Sequence, residues 1–173
     1  QLITVPPIDP ASLEKALVSL PEAEGHDIRA IVHLSKGNYT KALELLQPDE
    51  QTLFNLERFK ELMRNAYGRK FAELFKWVDQ LAGIGREKQK NLLSYCLMIL
   101  RENFIYNLKN KNLNFMNGQE EEFSKRFAPF INERNIVELA EVFETAYNHI
   151  EMNGNPRIIF TDVAFKITKL IRK

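Results

Sequence analysis

At roughly 100 to 200 residues per domain, a chain of 173 residues holds one domain, or one with a small companion. Its 24 basic and 23 acidic residues leave a net charge of +1, so no whole-chain field draws it to nucleic acid or to an anionic membrane, and a composition of 45% hydrophobic and 27% charged residues excludes disorder and collagen. The single cysteine, Cys96, has no partner for an internal disulfide, a zinc knuckle or a CxxC pair, which points to a reducing, cytoplasmic setting.

Apolar residues recurring three or four positions apart, punctuated by only seven Gly and seven Pro, predict an all-α fold. Gln1–Val5 is a short β-like alternation ended by Pro6-Pro7, and residues 1–8 read as the remnant of a preceding strand and its linker. With no initiator Met, basic n-region or long apolar run, this start reads as a cut through a longer chain and not as a signal peptide. A first helix is predicted from Asp9 as N-cap and Pro10 at the first helical position to about Leu20, with Leu13, Ala16, Leu17 and Leu20 inward. A second spans 27–35 with Ile28, Ile31, Val32 and Leu34, and Lys36-Gly37-Asn38 separates it from a third over 39–46. The three form a compact unit over 9–47, and the polar, proline-broken stretch 47–51 marks a boundary.

Residues 52–173 predict a bundle of five to six longer helices. The first covers about 52–67, with Leu53, Leu56, Phe59, Leu62, Met63 and Ala66 inward, and the second about 70–82, with Phe71, Leu74, Phe75, Val78 and Leu81 inward. The third, about 86–109, carries Leu92, Leu93, Cys96, Leu97, Leu100, Phe104 and Leu108 on a broad stripe and is expected to be the spine of the core. Asn110–Gly118 reads as a loop, followed by a short helix from Gln119 that Pro129 breaks. Asn132 or Asn135 caps the next helix through Ile136, Leu139, Ala140, Phe143, Ala146, Tyr147 and Ile150. Asn155-Pro156 then opens a last helix through Ile159, Val163, Ile167 and Leu170.

Chemistry-bearing patterns are scarce. His26, His33 and His149 lack a second ligand at zinc spacing, so no metal is expected. Gly83-Ile84-Gly85 follows a helix and lacks the Walker lysine, which makes it a helix-to-helix turn, and Cys96 sits on a buried stripe where a thiol stays unreactive. Glu138, Glu141 and Glu144 share a face that reads as solvated acid. The last helix is basic: Arg157, Lys166, Lys169, Arg172 and Lys173 against Asp162 give it a local charge of +4. That helix is the basis of an alternative reading, a free-standing nucleic-acid-binding domain, although no aromatic residues alternate with its cations. A bundle enzyme would need a polar constellation at inward positions that are almost wholly apolar. Twelve phenylalanines, Trp77 and five tyrosines are many for one core, and surplus apolar surface on a helical unit marks a subunit interface.

Two stretches carry a family resemblance. Ile31–Leu46, with Leu34-Ser35, the Gly37 turn and Ala42-Leu43-Glu44-Leu45, resembles the lid segment of clamp-loader ATPases. Asn153-Gly154-Asn155-Pro156-Arg157 before an apolar helix is similar to the start of the final helix in the gamma/tau and delta-prime subunits of bacterial DNA polymerase III, and Arg86-Glu87 leading to Tyr95–Phe104 with Arg101 resembles their long collar helix. The resemblance implies a lid over 9–47 and a collar, an oligomerisation domain, over 52–173. It implies as partners the gamma/tau and delta subunits of a hetero-pentamer that loads the sliding clamp onto primed DNA. In ATP-using relatives an arginine stands three positions beyond the turn glycine; here that position is Thr40, which cannot supply a cation to phosphate, so the chain resembles the non-hydrolysing delta-prime type. No cofactor and no catalysis are expected of this part. The resemblance and the basic last helix together make Asn155, Arg157, Lys166 and Lys169 candidate interface residues.

Overall fold

The computed structural model describes residues 7–20, 23, 28–46, 50–108, 116 and 118–173. The strand expected at Gln1–Val5, His26, Asp27 and most of the 110–118 loop lie outside the described residues. Among those described the fold is all-helical, with α1 (Pro10–Val18), α2 (Ile28–Ser35), α3 (Tyr39–Leu46), α4 (Glu50–Tyr67), α5 (Phe71–Ala82), α6 (Arg86–Asn107), α7 (Gly118–Phe127), α8 (Ile136–Glu151) and α9 (Pro156–Leu170), plus a 3-10 turn at Ala128–Phe130.

Helices α1 to α3 pack on one another around Leu13, Leu17, Ile31, Val32, Ala42 and Leu46. Asp9 starts α1 by accepting a hydrogen bond from the Ser12 amide at 3.0 Å, which satisfies one of the donors that a helix start leaves open. Ala16, expected inward, is exposed, Leu34 is exposed and Leu20 is only half-buried, because two short partner helices cover no more than a narrow stripe of α1 and α2. Between α2 and α3 the backbone turns left-handed at Lys36 (φ 49°) and Gly37 (φ 79°). The Gly37 carbonyl accepts a hydrogen bond from the Ile8 amide at 3.0 Å, and a Cβ on Gly37 would lie 2.6 Å from Pro7 Cβ, so the residues just before α1 close down on this turn because a glycine leaves room.

Helices α4 to α9 enclose a second, larger core holding Phe59, Trp77, Phe143 and Phe160. Helix α4 begins at Glu50, so Glu50 and Gln51 belong to its first turn and not to the expected polar stretch. The α6 stripe is not the sole spine. Helix α6 packs chiefly on α8, while α9 packs on α5, α8 and α4, and the two central helices share the core. At the end of α6's stripe Leu108 is exposed and Phe104 only partly covered, whereas Ile99 is fully buried. Asn135 precedes α8 without a side-chain cap. It is fully buried, accepts the Asn132 amide at 2.9 Å and donates to the carbonyls of Phe130 at 2.8 Å and Leu170 at 3.4 Å, which ties the start of α8 to the end of α9.

Sharp turns hold the bundle's connections. Across Gly83–Gly85 the buried Gln89 amide donates to the carbonyls of Leu81 at 2.8 Å and Ala82 at 3.2 Å, closing the end of α5. Helix α8 stops where Asn153 turns left-handed (φ 64°) and the Gly154 amide donates to the His149 carbonyl at 2.8 Å. A Cβ on Gly154 would lie 2.7 Å from that carbonyl oxygen and 2.8 Å from Ile159 Cδ1, so this close approach of α8 and α9 requires glycine. Arg86 reaches over to donate to the Ile150 carbonyl at 3.0 Å, fixing the start of α6 to the same corner.

Candidate functional site

Thr40 stands exposed in the first turn of α3, beside a helix start that Asn38 caps by accepting the Lys41 amide at 3.0 Å. Its hydroxyl carries no charge, and Lys41, the nearest cation in sequence, is likewise exposed.

The four candidate residues on and before α9 are not gathered at one place. Asn155 is the N-cap of α9, accepting the amides of Arg157 at 3.0 Å and Ile158 at 3.3 Å. Arg157 pairs with Asp79 of α5 at 2.8 Å, whereas Lys166 pairs with Asp162 at 2.7 Å and lines, with Lys169, a shallow groove against Glu138 and Glu141 of α8. Farther on, Lys173 binds Glu138, and Arg172 lies over the Tyr67 ring and donates to the Tyr67 carbonyl. Four of the five cations of this segment are thus engaged within the chain. Glu138, Glu141 and Glu144 form the exposed face read from their spacing.

The interior is more polar than the stripes implied. Gln89, Glu102, Asn103, Glu120, Ser124 and Asn135 are buried in the bundle, but they sit at different places and close local structure. Asn103 donates to the Ile99 carbonyl at 2.7 Å, and the Tyr95 hydroxyl donates to Glu120 at 2.7 Å. Burial pushes the Tyr95 phenol well above its ordinary range, and the Glu120 carboxylate adds to the shift. Burial in apolar surroundings likewise raises the Cys96 thiol, which favours the protonated, unreactive form. His33 and His149 are exposed, and no group of three His, Cys, Asp or Glu side chains with metal-binding geometry occurs among the described residues.

What the structure brings together is a set of aromatic rings on the outer face of α5 and α9. Phe71 and Phe75, expected in the core, are 42% and 50% exposed, and both lean on Phe165, itself 43% exposed, at ring separations of 5.8 and 6.1 Å. Ile158, 70% exposed, lies two turns earlier on α9. Trp77 decides which side of α5 turns inward: its ring meets Phe160 edge-on at 5.6 Å and its indole N–H donates to the Arg58 carbonyl at 2.9 Å. Phe71 and Phe75 are left on the flank. Sequence reasoning missed Phe165 as a surface residue, although it lies out of phase with the inward series Ile159, Val163, Ile167, and that offset was a readable signal.

Around this face the charges are matched within the chain, Glu73 with Lys76 at 3.0 Å and Asp79 with Arg157 at 2.8 Å. No helix among the described residues is long and apolar enough to cross a membrane. Compared with protein-family models, with curated proteins and with solved structures, the chain matches none.

Proposed function

We propose that this chain serves assembly: it is the lid and collar portion of a clamp-loader subunit of the delta-prime type, working in the cytoplasm. Its bundle packs against gamma/tau and delta neighbours in a hetero-pentamer that loads the sliding clamp of DNA polymerase III onto primed DNA. The observation that carries the assembly reading is the outward cluster of Phe71, Phe75 and Phe165. Three large rings and Ile158 in water lose the benefit of burial, and a rim whose charges are already paired leaves an apolar surface suited to another subunit. The sequence pattern of the α2–α3 turn and of Asn153–Arg157 supplies the particular family, and Thr40 at the lid position supports a subunit that does not hydrolyse ATP.

Co-expression with gamma/tau and delta from one source tests this. The chain is expected to co-purify with them, Phe75→Glu with Phe165→Glu to abolish recovery, and Lys166→Glu with Lys169→Glu to weaken it. Failure of the unaltered chain to co-purify would overturn the clamp-loader reading, as would micromolar ATP affinity measured by calorimetry. Undiminished assembly of the double Phe variant would clear the α5/α9 face of the role.

A further inference from the structure

On another side of the bundle, a groove of about 700 Å³ runs between α4 and α7. The two helices run in the same direction along it, because Phe59 of α4 meets Phe123 and Phe127 at 6.0 and 5.5 Å, and Tyr67, two turns on, meets Phe130 at 5.1 Å. The walls are charged and the charge is polarised. Glu57 with Lys60 and Glu122 lie near the middle of their helices, and Arg64 and Arg126 toward the ends. Glu57 is neutralised by Lys60 at 2.9 Å. Arg64 and Arg126 have no ion-pair partner among the described residues, while Arg58 on the same helix pairs with Glu61 at 2.9 Å. Arg172 adds a third guanidinium at that end, stacked on Tyr67.

We propose that this groove docks an acidic amphipathic helix of a partner protein, its apolar face on the Phe123, Phe127 and Phe130 wall and its carboxylates on Arg64 and Arg126. Helix-in-groove binding places anchors at i, i+3, i+4 and i+7, which is the spacing that α4 and α7 themselves present along the walls. Unpaired guanidinium groups beside an apolar floor favour carboxylates, which they bind in a bidentate fork. A nucleic acid strand fits less well. Its phosphates carry charge along the whole strand and would meet Glu122, whereas a helix can confine its carboxylates to the arginine end; Phe127 is also already stacked on Phe123 at 4.8 Å and on Phe130 at 6.2 Å, so ring faces that bases would need are occupied. The inference stands apart from the clamp-loader reading, since it uses α4 and α7 and not the α5/α9 face.

Fluorescence anisotropy on the full chain tests it with three labelled probes: an amphipathic peptide of about 16 residues with Leu and Phe on one face and Glu flanking it, the same peptide with every Glu replaced by Lys, and oligo-dT. The Glu peptide is expected to bind with micromolar Kd and the Lys peptide at least about tenfold more weakly. Arg64→Glu with Arg126→Glu should reverse that order. Both arginines are exposed, so the variant is expected to keep the parent melting temperature; Phe123→Ala, which should weaken both peptides without altering their order, serves if it does not. No micromolar binding of the Glu peptide, binding unaffected by the arginine variants, or tighter binding of oligo-dT would each overturn the proposal.

Discussion

The three-helix unit and the bundle are built from the same kind of amphipathic helix and differ in how far burial alone can hold them. Among the described residues the small unit buries seven apolar side chains, none of them aromatic: six on helices of nine, eight and eight residues, and Ala23 between the first two. The contiguous core of the bundle holds 29, with Trp77, Phe59, Phe143 and Phe160 among its fully covered side chains. A unit below about 40 residues hides too small a fraction of its surface for burial alone to hold it. It therefore relies on local chemistry: the Asp9 and Asn38 caps, and the Gly37 turn with Ile8 hydrogen-bonded to it. The bundle can spend buried area on a core and still leave rings and a groove outside. The proposed assembly surfaces both lie on that larger part.

Trp77 is the only tryptophan and lies in the bundle, so its fluorescence reports that region alone. The sharpest contrast comes from truncating one core at a time. Phe143→Ala should cost about 3–5 kcal/mol, seen as a lower urea midpoint of Trp77 fluorescence. Leu17→Ala, equally buried, should cost about 2–5 kcal/mol within the small unit, seen as lost amide protection in α1 to α3 with the Trp77 midpoint unmoved. If Leu17→Ala shifts the Trp77 midpoint as far as Phe143→Ala does, the two regions fold as one and the contrast fails.

Alkali should separate the regions next. Tyr95 and Cys96, neighbours on α6, both hold their protons more tightly when folded than in the open chain, because burial opposes their anions. Above about pH 8.5 for the thiol and about pH 10 for the phenol, the unfolded chain therefore binds fewer protons than the folded one. Stability of the bundle should fall as pH rises, by about 1.4 kcal/mol per pH unit for each group. Urea midpoints from about pH 8 to about pH 11 check the sign, and Cys96→Ala should reduce the slope by one group's share. A bundle whose midpoint is constant over that range would contradict the buried protonated state of both residues.

Features decided within a few residues were legible before the structure. Asp9-Pro10 and Asn155-Pro156 mark the starts of α1 and α9, and the Lys36–Asn38 break and the Gly83–Gly85 turn fall where expected, because caps and left-handed turns act locally. Facing was harder. Helix α5 carries apolar residues at 71, 74, 75, 77, 78 and 81, an arc wider than one core contact, and which part of it turned inward was settled by Phe160, more than eighty residues away. The work of Gln89 and Asn135 was equally hidden, since a buried amide declares itself only through the carbonyls that come to meet it. The α4/α7 groove needed both helices placed side by side before its unpaired arginines could be seen to share it.

The smallest expected difference lies in the caps. Asn155 holds the first turn of α9 with a neutral amide, so Asn155→Ala should cost about 1 kcal/mol at any pH. Asp9 does the same for α1 with a carboxylate, whose pKa is held below its ordinary value by hydrogen bonding with the Ser12 side chain and the Ser12 amide. A lowered folded pKa means the contribution is present above the unfolded value of about 3.9 and disappears as pH falls through the folded one. Protection factors of the α1 amides should thus hold down to about pH 4 and drop below it while those opening α9 hold, and Asp9→Asn should remove the pH dependence. The comparison isolates the cap itself: both helices begin with the same cap-then-proline chemistry, and only one of the two caps can be protonated. Equal losses at both helix starts would mean that acid acts through the folds as wholes, and α1 would then owe its start to packing and not to Asp9.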